Sequence, residues 1–233
     1  MRPNQLKVPF CWNNRRIVIE DGVFYCPPYN TSSDSEFSFP AWNDPQLFGN
    51  DNPIHIEYCS GNGAWIASKA KEFPDLNWIA VEKKFPRVRK IWAKAQNMEL
   101  KNLITVCGEA CLTTAKYFPS DSFSAVYINF PDPWPKRRHT KHRLMHPLFI
   151  EQIERVLKNK AIFTLVTDDP EYSCRMLEEM EKQSAFISSH PEPYFITELP
   201  NYGSSYFDQL WREQGKIIRY HQFQKVRIAD HNR

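Results

Sequence analysis

The sequence predicts an α/β fold: a doubly wound, mostly parallel sheet with helices on both faces and an antiparallel C-terminal strand. Three observations support this class. From residue 53 onward, short apolar runs alternate with helical segments, which requires crossover connections between parallel strands. The last such stretch, residues 216–226, alternates enough to form a strand. With 233 residues, the chain is long enough for one large domain with its own core.

The alternating pattern gives each element a position. The predicted strands are Ile54–Tyr58, Asn77–Val81, Leu103–Cys107, Phe123–Phe130, Ala161–Thr167 and residues 216–226. The predicted helices lie near residues 63–72, 86–99, 144–158 and 170–183, with a short helix after the third strand. Ligands of such sheets bind at the carboxyl ends of the strands, so we expect the functional residues in the loops that follow them.

Residues 1–50 differ from the rest of the chain. They are rich in proline and aromatic residues, and they show no helical periodicity. We therefore expect an irregular N-terminal extension over 1–50 that packs on the main domain or on a partner. The main domain is predicted over residues 51–233.

Composition limits the classes of function. The net charge of +3 is too small to indicate nucleic-acid binding by itself, but five of the eight residues 136–143 are Lys or Arg. Since no apolar run approaches the roughly 20 residues of a membrane span and no secretory signal is evident, we expect a cytoplasmic protein. The six cysteines form no Cys-x-x-Cys pair and no zinc-finger spacing, so no metal is expected. The oligomeric state, monomer or homodimer, stays open.

The loop after the first predicted strand combines an acid with a Gly-x-Gly turn. Glycines such as Gly61 and Gly63 permit a tight turn and close approach of a ligand to the backbone. A dinucleotide fingerprint would require a third glycine where Ile66 stands. Glu57 would repel a pyrophosphate but would suit a ligand with an ammonium and a sulfonium, which favours S-adenosylmethionine. A tight turn without any ligand is the alternative.

Two further acids follow the next two strands. Glu82 lies 21 residues after Gly61 and ends the second strand, where a carboxylate can accept hydrogen bonds from ribose hydroxyls. Glu109 follows the third strand, in the loop that lies beside the adenine in this fold, and its carboxylate can accept from the exocyclic amine. Solvated surface acids are the alternative for both positions, and for Glu109 this alternative is nearly as strong.

The loop after the fourth strand contains an acid, an aromatic residue and a cluster of cations. Prolines at alternate positions over 131–135 fix φ and stiffen the loop. Asp132 lies between two of these prolines, and Trp134 offers a flat face on which a base can stack. The basic cluster 136–143 matches a phosphate backbone. The alternative is a solvated charge run beside a structural tryptophan.

This loop carries a family resemblance. The segment Pro131-Asp132-Pro133-Trp134-Pro135-Lys136-x-x-His139-x-Lys141-x-Arg143 resembles the signature of bacterial tRNA (guanine-N7-)-methyltransferases. The resemblance covers roughly residues 50 to 225 and includes four further features: the loop Glu57–Gly63, the acids Glu82 and Glu109, the pair Thr167-Asp168, and the block Ser205-Tyr206-Phe207-Asp208 with Gly215. The chain departs from the family pattern where Cys59 replaces a glycine, Glu109 an Asp, Ser205 a Thr and Asp208 a Glu, and where His142 interrupts the basic run.

The resemblance implies a class I methyltransferase with a Rossmann-like domain. It implies transfer of a methyl group from S-adenosyl-L-methionine to N7 of guanine 46 in the variable loop of tRNA, with Asp132 as the catalytic residue. The implied cofactor-binding residues are Glu57, Gly61, Gly63, Glu82, Glu109 and Asp132. The implied substrate-binding residues are Lys136, Arg137, Arg138, Lys141, Arg143, Asp168, Ser205, Tyr206, Phe207 and Asp208.

Three other functions remain compatible with the sequence. A nicotinamide-dependent oxidoreductase would use the same strand–turn–helix unit, although Ile66 argues against it. An amino-group methyltransferase acting on nucleic acid or protein would use a loop loosely similar to Pro131–Trp134. An inactive tRNA-binding homologue is suggested by Cys59, which places a side chain in the cofactor loop.

Overall fold

The computed structural model describes residues 1–28, 37–133 and 144–226. Within it the chain forms two compact units, Met1–Phe118 and Pro119–Arg233. Within each unit, hydrogen-bonded strands are connected by helices.

The first unit contains a largely parallel sheet. Its strands are β1 (Val18–Glu20), β2 (Val23–Cys26), β3 (Ile54–Tyr58), β4 (Asn77–Glu82) and β5 (Leu103–Gly108). Their order is β1-β2-β5-β4-β3, and every neighbouring pair is parallel except β1 and β2. The helices are α1 (Ala64–Glu72), α2 (Phe85–Asn97) and α3 (Ala110–Tyr117), preceded in the chain by two short 3-10 helices, Pro3–Gln5 and Trp12–Asn14.

Burial explains why these segments form strands. All six residues of β4 are buried, as expected for a parallel strand covered on both faces. In β3 and β5 only one residue each is partly exposed. The sequence predicted the bounds of β3, β4 and β5 to within one residue, because continuous apolar runs between turn residues are typical of such strands.

The N-terminal region contributes two strands that the sequence analysis did not predict. Asp21 and Gly22 both adopt positive φ, 53° and 72°, which is the backbone of a tight hairpin turn between β1 and β2. β2 is buried at all four positions and pairs with β5. Residues 18–26 therefore do not form the irregular extension expected from the composition of 1–50. They belong to the sheet of the first unit.

The second unit contains a mixed sheet. Its strands are β6 (Phe123–Asn129), β7 (Leu157–Thr167), β8 (Phe186–Ser188) and β9 (Arg219–Lys225), in the order β6-β7-β9-β8. β6 and β7 are parallel, whereas β9 runs antiparallel to both of its neighbours. The predicted antiparallel C-terminal strand is therefore confirmed. The helices are α4 (Pro147–Val156), α5 (Pro170–Glu181) and α6 (Tyr206–Glu213).

Helix ends in the second unit follow simple capping chemistry. The Asp169 side chain accepts a hydrogen bond from the Tyr172 backbone N–H at 2.8 Å and so begins α5. Pro170 occupies the first helical position, where a missing N–H costs nothing. Among the described residues, no helix is long and apolar enough to cross a membrane.

Candidate active site

The loop after β3 turns sharply because three of its residues adopt left-handed backbone conformations. Cys59, Gly61 and Gly63 have φ values of 60°, 57° and 72°. The Ser60 N–H donates to the Val81 carbonyl oxygen at 3.1 Å, which ties the loop to β4. The sequence predicted a tight turn here, and the structure contains one. It also shows that Cys59 occupies a conformation that favours glycine, with its side chain exposed.

Gly63 is required for a second reason. It is the N-cap of α1, and a Cβ atom at this position would lie 2.7 Å from Cγ1 of Ile91, on α2. A Cβ at Gly61 would meet nothing closer than the Cys59 carbonyl oxygen at 3.9 Å. Glycine is therefore required at residue 63 by the close contact between loop and helix as well as by the positive φ. At residue 61 only the positive φ requires it.

Two buried carboxylates lie at the carboxyl ends of neighbouring strands in this unit. Glu57 is the penultimate residue of β3 and Glu82 is the last residue of β4, with exposed fractions of 2% and 4%. The Gly61 backbone N–H donates to Oε2 of Glu82 at 3.2 Å, and the Lys84 N–H donates to Oε1 at 2.8 Å. Glu82 thus links the glycine loop to the loop after β4. Arg87 lies 3.6 Å from Oε2 and balances part of its charge.

Glu109 has a structural role in addition to its predicted one. It is the N-cap of α3, and its Oε2 accepts a hydrogen bond from the Leu112 N–H at 2.7 Å. The preceding Gly108 leaves room for tight packing, because a Cβ there would lie 2.4 Å from Oγ1 of Thr113. Glu109 is partly exposed at the end of β5. Its contact with an adenine stays a prediction.

The donor set of this unit fits S-adenosylmethionine. A carboxylate has about four acceptor positions, and backbone N–H groups occupy two of those on Glu82. Capacity therefore remains for two adjacent ribose hydroxyls. Glu57 supplies a buried carboxyl group, whose oxygens can accept hydrogen bonds from an ammonium group. Tyr58 and Thr114, whose hydroxyl oxygens lie 2.7 Å apart in the core, hold β3 against α3 behind this set.

The predicted catalytic residue lies in the second unit, directly after β6. Pro131 is buried, Asp132 is exposed, and Pro133 is partly buried. Behind them the Tyr202 hydroxyl donates to Oδ1 of the buried Asn129 at 2.6 Å. The exposed position leaves Asp132 open to a large substrate. Sequence analysis missed Asn129, and its only signal was a polar residue at the end of an apolar strand.

Much of the predicted substrate-binding loop lies outside the described residues. This applies to Trp134 and to the cations Lys136, Arg137, Arg138, Lys141 and Arg143. Their assignment as substrate-binding residues therefore stays a prediction.

Asp168, at the end of β7, is held by a lysine that the sequence did not identify. Nζ of Lys216 lies 2.5 Å from Oδ2 of Asp168. The same ammonium group lies over the ring of Trp211 on α6, 3.6 Å from its centroid, which is a cation–π distance. Asp168 is partly exposed, so its carboxylate is oriented by Lys216 while remaining accessible.

The block 205–208 forms the first turn of α6. The Ser205 hydroxyl caps the helix by accepting from the Asp208 N–H at 3.1 Å. Tyr206 is exposed, and the ring of Phe207 lies 6.3 Å from that of Phe130, which follows β6. The sequence predicted substrate contacts for this block. The structure shows that Ser205 also stabilises the helix end.

Asp208 is buried in a three-residue network. Oδ1 accepts from Nε of Arg212 at 2.5 Å, and Oδ2 accepts from the Tyr220 hydroxyl at 2.9 Å. Burial is the main cause that raises the pKa of Tyr220, and the hydrogen bond with Tyr220 raises the pKa of Arg212. The three side chains line a cleft of about 280 Å³ together with Glu198, Leu199, Gly203 and Ser204.

A metal centre finds no support in the part of the chain that the structure describes. No group of three or more His, Cys, Asp or Glu side chains there is arranged to hold a metal ion. Burial lowers the pKa of the partly buried His55 and of the buried His221 to about 4, so both imidazoles are neutral at neutral pH.

The sheet, the glycine loop and the acids after successive strands define a class I S-adenosylmethionine-dependent methyltransferase. Residues 51–220 match the family model described as "Putative methyltransferase". Solved structures share the fold: 16S rRNA methyltransferase KamB superposes with a TM-score of 0.60 at 13% identity, over 82% of this chain and 96% of that one. A 16S rRNA (adenine(1408)-N(1))-methyltransferase variant from Catenulisporales acidiphilia, solved with cosubstrate SAM, gives 0.56 at 14% identity, over 79% and 90%.

The chain belongs to the tRNA (guanine-N(7)-)-methyltransferase family. The protein of that name from Chlamydia caviae is 44% identical over 225 residues, which cover 97% of this chain and 98% of the relative. The protein of the same name from Clostridioides difficile is 33% identical over 76% of this chain and 81% of the relative. The family expected from the loop at 131–143 is therefore confirmed, and so is the enzyme class.

Proposed function

We propose that this protein transfers a methyl group from S-adenosyl-L-methionine to N7 of guanine 46 in the variable loop of tRNA. The observation that carries the proposal is the linkage of Glu82 to Gly61, which joins the glycine loop to a buried carboxylate with free acceptor capacity. Near-full-length similarity to proteins named for guanine-N7 methylation supports the acceptor. The proposed substrate also implies a cytoplasmic enzyme.

The donor half of the reaction depends on the first unit. S-adenosylmethionine, when bound, supplies a methyl group already activated by its sulfonium. Glu82 would hold the ribose hydroxyls, Glu57 the ammonium, and Glu109 the adenine amine. Because the loop hydrogen bonds position Glu82 before any ligand binds, little ordering entropy is lost on binding.

The acceptor half depends on the second unit. N7 of guanine has an in-plane lone pair and carries no proton, so the attack needs no strong general base. Catalysis then rests on positioning and on stabilising the positive charge that develops on the base. We assign Asp132 to that charge, with its carboxylate also able to accept from N1–H or the amino group. Asp168 or Asp208 would read the Watson–Crick edge, and the guanine would leave its stack to reach the donor.

The cations 136–143 would position the tRNA rather than react with it. Lys136 would orient the base or a phosphate, and Arg137, Arg138, Lys141 and Arg143 would hold the backbone. Ser205 would place the first turn of α6, and Tyr206 and Phe207 would form a wall beside the base. The exposed ring of Tyr206 is compatible with such a contact.

The first experiment compares methyl transfer from labelled S-adenosylmethionine to unmodified tRNA by the wild type, Asp132→Ala and Asp75→Ala. Asp75 is an exposed acid outside the proposed site, so its variant controls for the loss of one negative charge. We expect a loss of at least about 100-fold for Asp132→Ala, since it removes an electrostatic stabiliser of the transition state. Near-normal turnover of this variant would remove Asp132 from the mechanism.

The second experiment maps the product. Wild-type enzyme is incubated with the tRNA pool, and the mass and position of each modified nucleotide are determined. We expect 7-methylguanosine at position 46. Methylation of an exocyclic amine would instead identify an amino-group methyltransferase. Failure to bind S-adenosylmethionine at millimolar concentration would indicate an inactive homologue.

A third experiment addresses the cations 136–143. Replacing Arg137 and Arg138 together by Ala should weaken tRNA binding and reduce its salt dependence, because fewer counterions are released. Unchanged binding would show that these cations only face solvent.

A further inference from the structure

One face of α2 carries a row of cations that the proposed site does not use. The basic face of α2 consists of Lys83, Lys84, Arg87, Lys90 and Lys94. Lys83, Lys84 and Lys90 are exposed, and Arg87 and Lys94 are partly exposed. Spacings of three and four residues place the last four of these on one side of the helix. At 1.5 Å per residue, the row from Lys84 to Lys94 is about 15 Å long.

The opposite side of α2 is packed against the protein. Its buried residues are Val88, Ile91, Trp92, Ala93 and Ala95. The indole Nε1 of Trp92 donates to the Asp21 carbonyl oxygen at 3.1 Å, and Nε of Arg89 donates to the Leu6 carbonyl oxygen at 3.0 Å. The helix is thus anchored by the N-terminal region, and its rotation leaves the basic face turned to solvent.

The charges of this face are poorly balanced within the protein. No Asp or Glu occurs between residues 83 and 98. Among the described residues, Arg87 is the one cation of the basic face that pairs with an acid, Glu82. Burial lowers the pKa of Lys94, and the neighbouring charge of Lys90 lowers it further.

The position of the cations also opposes helix stability. Lys83 and Lys84 immediately precede the first residue of α2, and its first turn contains no acid. The N-terminal end of a helix favours anions and disfavours cations, and like charges three or four residues apart are destabilising. Both effects lower the stability of α2. A ligand that supplies negative charge along its length explains why the cations are nevertheless present.

We propose that the basic face of α2 binds the phosphate backbone of the tRNA as a contact separate from the cations 136–143. This inference rests on the proposed function, since it assigns a second surface to the same substrate. A polynucleotide fits because the row is exposed, linear and about three helical turns long, whereas a small anion would need a concave site. Phosphate contacts of this kind set affinity and orientation and carry no sequence information.

The test replaces Lys83, Lys84 and Lys90 together by Gln and measures binding of unmodified tRNA as a function of salt. The logarithm of the association constant should depend on the logarithm of salt concentration with a slope reduced by about 2 to 3, since each lost phosphate contact contributes about 0.7 to 0.9. Affinity near physiological salt should fall by about tenfold or more. The KM for tRNA should rise, while kcat at saturating tRNA and binding of S-adenosylmethionine should not change.

Two matched variants separate this role from a structural one. The control variant carries Gln in place of three other exposed lysines, Lys71, Lys101 and Lys158, and so loses the same net charge. Its tRNA affinity and the salt dependence of binding should stay near those of the wild type. Arg at Lys83, Lys84 and Lys90 keeps the charge and should retain binding. The thermal midpoint of the Gln variant of α2 should not fall, because its substitutions relieve repulsion.

The outcomes distinguish this inference from the proposed function. If the wild type methylates tRNA but the α2 Gln variant keeps its affinity and slope, the inference is wrong and the function stands. Equal losses in the Lys71, Lys101 and Lys158 control would also overturn it, as would lost binding in the Arg variant. If the wild type binds tRNA through α2 yet methylates no guanine N7, the proposed function is wrong and the surface assignment stands.

Discussion

The glycine loop offers a prediction whose magnitude follows from two neighbouring positions. Gly61→Ala and Gly63→Ala both place an L residue at positive φ, 57° and 72°, which costs about 1–2 kcal/mol each. Only at residue 63 does the new Cβ also clash, at 2.7 Å from Cγ1 of Ile91. Overpacking of this kind adds about 1–3 kcal/mol. We therefore expect losses of unfolding free energy of about 1–2 kcal/mol for Gly61→Ala and about 2–5 kcal/mol for Gly63→Ala.

Urea denaturation at pH 8, followed by far-ultraviolet circular dichroism, measures both losses. The clash is isolated by a double-mutant cycle with Ile91→Ala, which removes the Cγ1 and Cγ2 atoms that the new Cβ would meet. The double variant should be more stable than the sum of the single losses predicts, by about 1–3 kcal/mol. A coupling below about 0.5 kcal/mol, or equal losses at residues 61 and 63, would refute the packing argument and leave only the backbone angle.

Two further predictions concern backbone strain and pH. Cys59→Gly should raise the unfolding free energy, because Cys59 has φ of 60° and glycine adopts this angle without strain. The gain should stay under about 1 kcal/mol, since glycine is more flexible in the unfolded chain. A lower denaturation midpoint for this variant would contradict the prediction. Burial lowers the pKa of His221 from 6.5 to about 4, so the unfolded state binds the proton first as pH falls. Stability should be complete above pH 6.5 and decline between pH 6.5 and 4, by about 3 kcal/mol for this residue. His55, with its pKa also lowered to about 4, contributes in the same direction, so His221→Gln should reduce but not abolish the slope measured by urea titration at several pH values.

Parallel strands were predictable because they are continuous apolar runs. The bounds of β3, β4 and β5 follow from such runs flanked by turn residues, and no long-range information is needed. β7 begins at Leu157 rather than at residue 161. Leu157 pairs with Phe123 of β6 and the pairing resumes at Ile162 with Ala125, so the polar residues between them form an irregularity that includes Lys160 at φ of 65°. The pairing of Leu157 depends on a strand distant in the sequence, and the local pattern does not reveal it.

Two elements were missed although local signals existed. The turn Asp21-Gly22 between two apolar runs is a strong hairpin signal, and it was outweighed by the proline content around it. The first turn of α6 begins with Ser205 and places an acid, Asp208, three residues later, which resembles a capping box. In both cases the prediction relied on the composition of the whole region. A pattern of two to four residues determined the structure instead.

The residues of the candidate site also fall into those whose positions the sequence predicts and those whose contacts it does not. The positions of Glu57 and Glu82 near strand ends were predictable because strand ends and residue spacing are properties of the sequence, and their contacts with the cofactor stay a prediction. The ion pair of Asp168 with Lys216 was not predictable, since it joins residues 48 apart in the sequence with α5, β8 and α6 between them. The helix-capping role of Glu109 depends on where α3 begins, and predicted boundaries are uncertain by a few residues.

The network around Asp208 explains why a buried acid can be tolerated beside a proposed substrate wall. An isolated buried carboxylate would be protonated or would destabilise the fold, because desolvation penalises its charge. Here Arg212 supplies the opposite charge and Tyr220 a second donor, one to each carboxylate oxygen. These two bonds leave acceptor positions on both oxygens, so Asp208 is held in one orientation and can still accept a hydrogen bond from a guanine. The same contacts that stabilise the acid in the folded protein would therefore preorganise it for recognition, which is why Asp208 and its helix cap at Ser205 are best regarded as one unit.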